Sequence, residues 1–159
     1  MDQTAKYTFR IKSARQYFEQ VALPCLRDFE VNHTSDRHAL IAVVMLWHVK
    51  DWVWAQDNIM IEKDLCLTDR DDFDSFLFLK NSGFRIIQNV ATGTKHLKCD
   101  KGEITNLKIT DGFLNGGLLG LGTSSHFTVE YEGETKVFLS VLREAEKFWC
   151  NFFASHRII

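Results

Sequence analysis

Two polar clusters interrupt segments of this sequence that are otherwise apolar. His48 and Asp51 lie three residues apart, which is about one turn of a helix, inside a strongly hydrophobic run. Near the middle of the chain, Asn89 and His96 are seven residues apart, so they share one stripe of a predicted helix, with Lys95 beside them. If the two helices pack together, these side chains line a shared polar pocket.

Three kinds of chemistry suit such a pocket. His and Asp one turn apart, facing a His and an Asn, can bind a divalent metal, as in helical-bundle metal sites. The same residues can form a hydrogen-bonded core network in which Asp51 orients His48 and Asn89 satisfies a backbone group. They can also line a pocket for a ligand or a partner, and Gly93 would let it approach closely. Lys95 is either an anion contact or a complement to the helix dipole. We favour the network and assign neither a metal ligand nor a catalytic residue.

A third candidate lies earlier in the chain, where Arg27 and Asp28 are followed by His33. This spacing resembles the short Arg-to-His motif of HEPN-type ribonucleases, which are all-helical proteins of similar size. The resemblance implies that Arg27 and His33 act on RNA. The strands predicted below depart from the all-helical pattern of that family.

The glycine-rich run at 115–122, Asn-Gly-Gly-Leu-Leu-Gly-Leu-Gly, invites comparison with phosphate-binding loops. No Lys-Ser or Lys-Thr pair follows it, and the next segment has the pattern of a strand rather than a helix, so the helix N-terminus that would hold phosphate is missing. We expect a mobile loop and predict no cofactor.

The length and composition of the chain exclude several classes of protein. The 159 residues predict a single domain over 1–159, and a net charge of -2 provides no general attraction for nucleic acid or an anionic membrane. The longest apolar stretch, 39–49, is too short to span a bilayer, and the N-terminus has no secretory pattern. The four cysteines have none of the paired spacings of zinc or redox motifs. We therefore expect a cytoplasmic protein whose partner is another protein or a small molecule, and the 13% aromatic content leaves room for a homodimer.

Hydrophobic periodicity predicts the helices that position the candidate residues. Helix one covers 13–30, with a Ser13 capping box and a kink at Pro24. Helix two covers 36–57, is apolar nearly all round and should be central, while 58–68 reads as a short helical or irregular connection. Helix three begins at the acidic residues 71–74 and buries Phe73, Phe76, Leu77 and Leu79, and Ser82 caps the next helix after a break at 81–83.

The pattern changes after residue 98. Alternating apolar residues predict strands around 104–109, 127–131 and 137–139, with a tight turn at 132–134. Ser140 caps a last helix that ends near Ser155. The predicted fold is α+β: a bundle of about four helices over 13–98 and 140–155, with a two- or three-stranded antiparallel sheet inserted at 103–139.

Two motifs in this framework, Trp47-His48-x-x-Asp51-Trp52 and Asn89-x-x-x-Gly93-x-Lys95-His96, are similar to those of a group of small bacterial and prophage proteins. The resemblance covers about 34–153 and implies no established activity. The residues leave open whether the protein is an enzyme. The preferred hypothesis is a small cytosolic binding or interaction protein, in bacteria or on a mobile element. The alternatives are a HEPN-like ribonuclease or toxin and a metal-binding helical bundle.

Overall fold

A computed structural model describes residues 10–96, 104–112 and 124–156. It shows an α+β helical bundle with a small antiparallel sheet before the C-terminal helix, which confirms the predicted fold class. The glycine-rich run at 115–122 lies outside the described residues. The elements are α1 (Ala14–Tyr17), a π-helical segment (Phe18–Ala22), α2 (Leu23–Val31), α3 (Asp36–Leu65), α4 (Arg70–Lys80), α5 (Gly83–His96), β1 (Ile104–Gly112), β2 (Ser124–Tyr131), β3 (Glu134–Val137) and α6 (Phe138–Ser155).

The predicted first helix starts as expected but changes geometry before Pro24. The Ser13 hydroxyl accepts the backbone N–H of Gln16 at 3.1 Å, and the Gln16 amide oxygen accepts the N–H of Lys12 at 2.9 Å. The turn at 18–22 is π-helical, and Pro24 lies in the first turn of α2. Proline has no N–H to offer the carbonyl four residues earlier, and a π turn is one way for a helix to absorb such an interruption.

Helix α3 is the central helix, as predicted, and packs against α1, α2, α5 and α6. It is longer than predicted: it continues through 58–65, where no glycine or proline interrupts it, and ends at Leu65. Cys66, the C-cap, is left-handed with a φ of 54°. Its N-terminal half is not buried all round, since Leu40 and Ile41 are 37% and 36% exposed. The apolar face turned inward includes Val43, Leu46, Val49 and Val53.

Helix α4 differs from the prediction in its buried face. Phe73 and Leu77 are fully buried, but Leu79 is 86% exposed. Residues 73 and 77 are four apart and share a face, whereas residue 79 is two past 77 and points to the other side of the helix. Helix α5 begins at Gly83, so Ser82 directly precedes it, and the Asn81 side chain accepts the N–H of Gly83 at 2.8 Å.

The sheet has the order β1-β2-β3, with antiparallel pairing throughout. Glu132 and Gly133 form the turn between β2 and β3 with φ of 51° and 79°, the positive values that a two-residue hairpin turn requires, so the predicted tight turn is confirmed. Helix α6 begins at Phe138 rather than after Ser140, and Leu139 is helical rather than part of a strand. Phe138 is fully buried and opens the apolar stripe that continues through Leu142, Ala145 and Trp149, so the helical period starts there.

Candidate functional site

His48 and Asp51 contact each other as their spacing predicted. The Nδ1 atom of His48 lies 2.7 Å from Oδ2 of Asp51, and the two side chains are 35% and 27% exposed. Asn89 lies partly buried on α5, a helix that packs against α3. Lys95 and His96 end α5, but their side chains lie outside the part of the chain that the structure describes. The pocket shared by His48, Asp51, Asn89 and His96 therefore stays a prediction.

Asp51 also connects α3 to α4. Its Oδ1 accepts a hydrogen bond from Nη2 of Arg70, the first residue of α4, and Nζ of Lys50 lies 3.7 Å from the same oxygen. With His48 Nδ1 at Oδ2, both carboxylate oxygens are engaged. The contact between His48 and Asp51 fixes the orientation of the imidazole.

A buried ion pair beside this cluster was not predicted from the sequence. Lys50 is only 5% exposed, and its Nζ lies 2.6 and 2.7 Å from the two carboxylate oxygens of Asp74 on α4. The same ammonium lies 4.3 Å from the ring centroid of Trp47. A lysine inside an apolar helix was the available signal, since lysine is almost never buried without a partner.

An aromatic stack continues from this ion pair across three helices. Trp47 on α3 stacks on Phe78 of α4 with ring centroids 6.3 Å apart and planes 3° from parallel. The guanidinium of Arg85 on α5 lies 4.8 Å from the centroid of the Phe78 ring. Charged groups over ring faces are attracted by the ring quadrupole, so the stack holds α4 and α5 against α3.

An open groove of about 450 Å³ lies beside Asp51. Trp52, in its wall, stacks on Tyr17 with centroids 4.9 Å apart, and Gln56 accepts the backbone N–H of Ala14 at 2.7 Å. These contacts hold α3 against α1 and the residues just before it, and the groove lies between them. The lining residues are Lys12, Asp51, Trp52, Ala55 and Gln56.

The phenol of Tyr17 supports the groove by packing against Trp52 in its wall. Its hydroxyl donates to the sulfur of Met45 at 3.2 Å. Burial, together with the negative charges of Cys25 as thiolate and of Asp51, raises the pKa of Tyr17 to about 12. Tyr17 is therefore a neutral, apolar support for Trp52 at ordinary pH.

Arg27 and His33, the residues of the ribonuclease hypothesis, lie on α2 and in the turn after it, and Arg27 forms ion pairs within the protein. Arg27 donates to Glu30 at 2.8 Å and also to Glu146 on α6, and these hydrogen bonds raise the pKa of its guanidinium. Glu30 accepts from Arg143 on α6 as well, at 3.0 Å. Arg27 thus connects α2 to α6, while His33 lies in the turn after α2.

For the metal hypothesis, the described residues contain no group of three or more His, Cys, Asp or Glu side chains that could hold an ion.

Comparison with known proteins identifies no relative. No protein-family model matches the sequence, and no curated protein or solved structure matches it. The resemblance to small bacterial and prophage proteins therefore stays a prediction. Within the described ranges, no helix combines the length and the apolar character that crossing a bilayer requires.

Proposed function

We propose that this protein is a small binding protein that takes a small-molecule ligand in the groove beside Asp51. The observation that carries the proposal is the groove itself, whose volume is about 450 Å³. Ligand pockets typically measure roughly 300–1,000 Å³ and combine apolar walls with a few polar groups. The lining has this composition, with an indole and a methyl group beside an ammonium, a carboxylate and an amide.

The contacts behind the lining support the proposal because they build the groove before a ligand arrives. Tyr17 holds the Trp52 ring in place, and the N–H of Ala14 holds the amide oxygen of Gln56. Arg70 and His48 hold Asp51. A site whose walls are already ordered does not lose that ordering free energy on binding.

The neighbouring polar cluster holds Asp51 in place at the groove, because each of its carboxylate oxygens is hydrogen-bonded to a side chain of the protein. In this proposal Asp51 shapes the end of the groove. A cytoplasmic location belongs to the same proposal, and it is supported by the free thiols of Cys25, Cys66 and Cys150 in the described part of the chain.

The experiment is a fragment screen on paired variants. Ala55 lines the groove and is exposed, so Ala55→Leu should fill the groove without disturbing the core. Ala154 is an exposed alanine on α6, and Ala154→Leu is the matched control. Ligand-observed NMR should find small molecules that bind the parent and Ala154→Leu but not Ala55→Leu. A screen in which no compound distinguishes Ala55→Leu from the parent would contradict the proposal.

A further inference from the structure

We infer that the groove selects a flat aromatic ligand that carries one negative charge. This inference rests on the proposed binding function and goes on to name the chemical class of the ligand. It depends on two features of the lining: the charge that remains after the protein's own ion pairs are formed, and the aromatic surface next to that charge.

The charged groups around Asp51 neutralise one another. Lys50 and Arg70 supply two positive charges, and Asp51 and Asp74 supply two negative ones, in contacts that join all four. In contrast, the Lys12 ammonium has no ion-pair partner within the described ranges. The other lining residues, Trp52, Ala55 and Gln56, are uncharged. Lys12 is therefore the uncompensated charge of the groove, and it favours an anion.

The apolar part of the lining is suited to a flat ring. Trp52 contributes an indole whose position is fixed by its stacking on Tyr17, and the ring remains partly exposed. Ala55 adds only a methyl group, so a planar ligand can come close to the helix. Aromatic rings prefer offset-stacked or edge-to-face contacts with one another. A ring against Trp52 with its acidic group towards Lys12 satisfies both features.

The position of Asp51 limits the ligand to a single negative charge. Its carboxylate lies in the same lining as Lys12, and although its charge is balanced by Arg70, its oxygens offer no donor to an anion. A second acidic group would have no cation to meet within the described lining. Dianions should therefore gain nothing over monoanions.

The test compares two fluorescent probes with the same ring skeleton. The anionic probe is 1-anilinonaphthalene-8-sulfonate, and the neutral probe is N-phenyl-1-naphthylamine, which lacks the sulfonate. The parent should bind the anion about two- to fivefold more tightly than the neutral probe, which lies within the range expected for an exposed ion pair. Lys12→Gln should abolish this preference, and rising salt should reduce it. Lys147→Gln, at an exposed lysine of α6, is the control and should keep the preference.

Each result separates this inference from the proposed function. Equal affinity for the two probes in the parent, with both weakened by Ala55→Leu, would overturn the charge selection while leaving the groove as a binding site. Probe binding that is insensitive to Ala55→Leu would overturn the assignment of aromatic ligands to this groove. Loss of the preference in Lys147→Gln would also overturn it, because the charge responsible would then not be that of Lys12.

Discussion

The buried ion pair of Lys50 and Asp74 gives the sharpest test of how α3 and α4 are held together. Lys50 is 5% exposed, and its ammonium lies within 2.7 Å of both oxygens of Asp74. In Asp74→Ala the ammonium would keep its place over the Trp47 ring but would lose its closest counter-charge, and Asp51 would lie 3.7 Å away. We expect a clear loss of stability from this one substitution.

The size of the loss follows from the burial of the pair. Removing one partner of a fully buried ion pair costs about 3–5 kcal/mol, because an uncompensated charge is left behind. The Asp74 side chain is 17% exposed and the Trp47 contact remains, so the cost should lie near the lower end. A loss of about 3 kcal/mol corresponds to a fall in the melting temperature of roughly 6–12 °C for a chain of this size.

The assay is thermal unfolding followed by circular dichroism, with a matched surface pair as the control. Arg15 and Glu19 form an exposed pair, with side chains 56% and 50% exposed, so Glu19→Ala should change the free energy of unfolding by less than about 1 kcal/mol. The double variant Lys50→Met/Asp74→Leu removes both charges and should recover much of the loss. If Asp74→Ala has the same melting temperature as Glu19→Ala, the reasoning is refuted.

Three further predictions concern other parts of the fold. Burial raises the pKa of Tyr17 to about 12, so above pH 10 the unfolded chain loses a proton that the folded chain keeps. The free energy of unfolding, measured in urea, should therefore fall between about pH 10 and 12. The fall should be smaller in Tyr17→Phe. Leu77→Ala should cost about 2–5 kcal/mol in the same assay because Leu77 is fully buried, whereas Leu79→Ala should change stability by less than about 0.5 kcal/mol. The ribonuclease hypothesis predicts RNA cleavage that Arg27→Ala and His33→Ala each abolish, and cleavage unchanged in both would remove that assignment.

The order of helices and strands was predictable because long apolar stripes carry a strong period. The last helix shows this best, since Leu142, Trp149 and Phe152 recur at helical spacing and are all buried. Boundaries were less predictable. Residues 58–65 include the exposed Ile59 and Met60 and so lack an amphipathic pattern, yet they continue α3 because no residue there breaks a helix.

In the candidate site, too, the contact within one helix was predictable from the sequence, whereas the contacts between distant segments were not. The pairing of His48 with Asp51 follows from a spacing within one helix, and the sequence was sufficient for it. The contact of Asp51 with Arg70 joins two helices, so it depends on how α4 packs, which no spacing in the sequence specifies. The groove depends in addition on where the segment containing Lys12 lies, which is again a tertiary contact.

The Lys50 pair shows how such a contact between helices can still leave a trace in the sequence. On α3, Trp47 and Lys50 are three residues apart, and on α4, Asp74 and Phe78 are four apart, so each helix presents one ring and one charge on one face. Three aspartates compete for the lysine, but Asp72 is bound by Thr68 in the capping turn and Asp71 is exposed. Asp72 and Phe76 have the same spacing, so a ring and a charge four residues apart do not by themselves identify the partner of the lysine. The Trp47 ring stacks on Phe78, and Asp74 lies one turn from Phe78, so the packing of α4 against α3 selects Asp74.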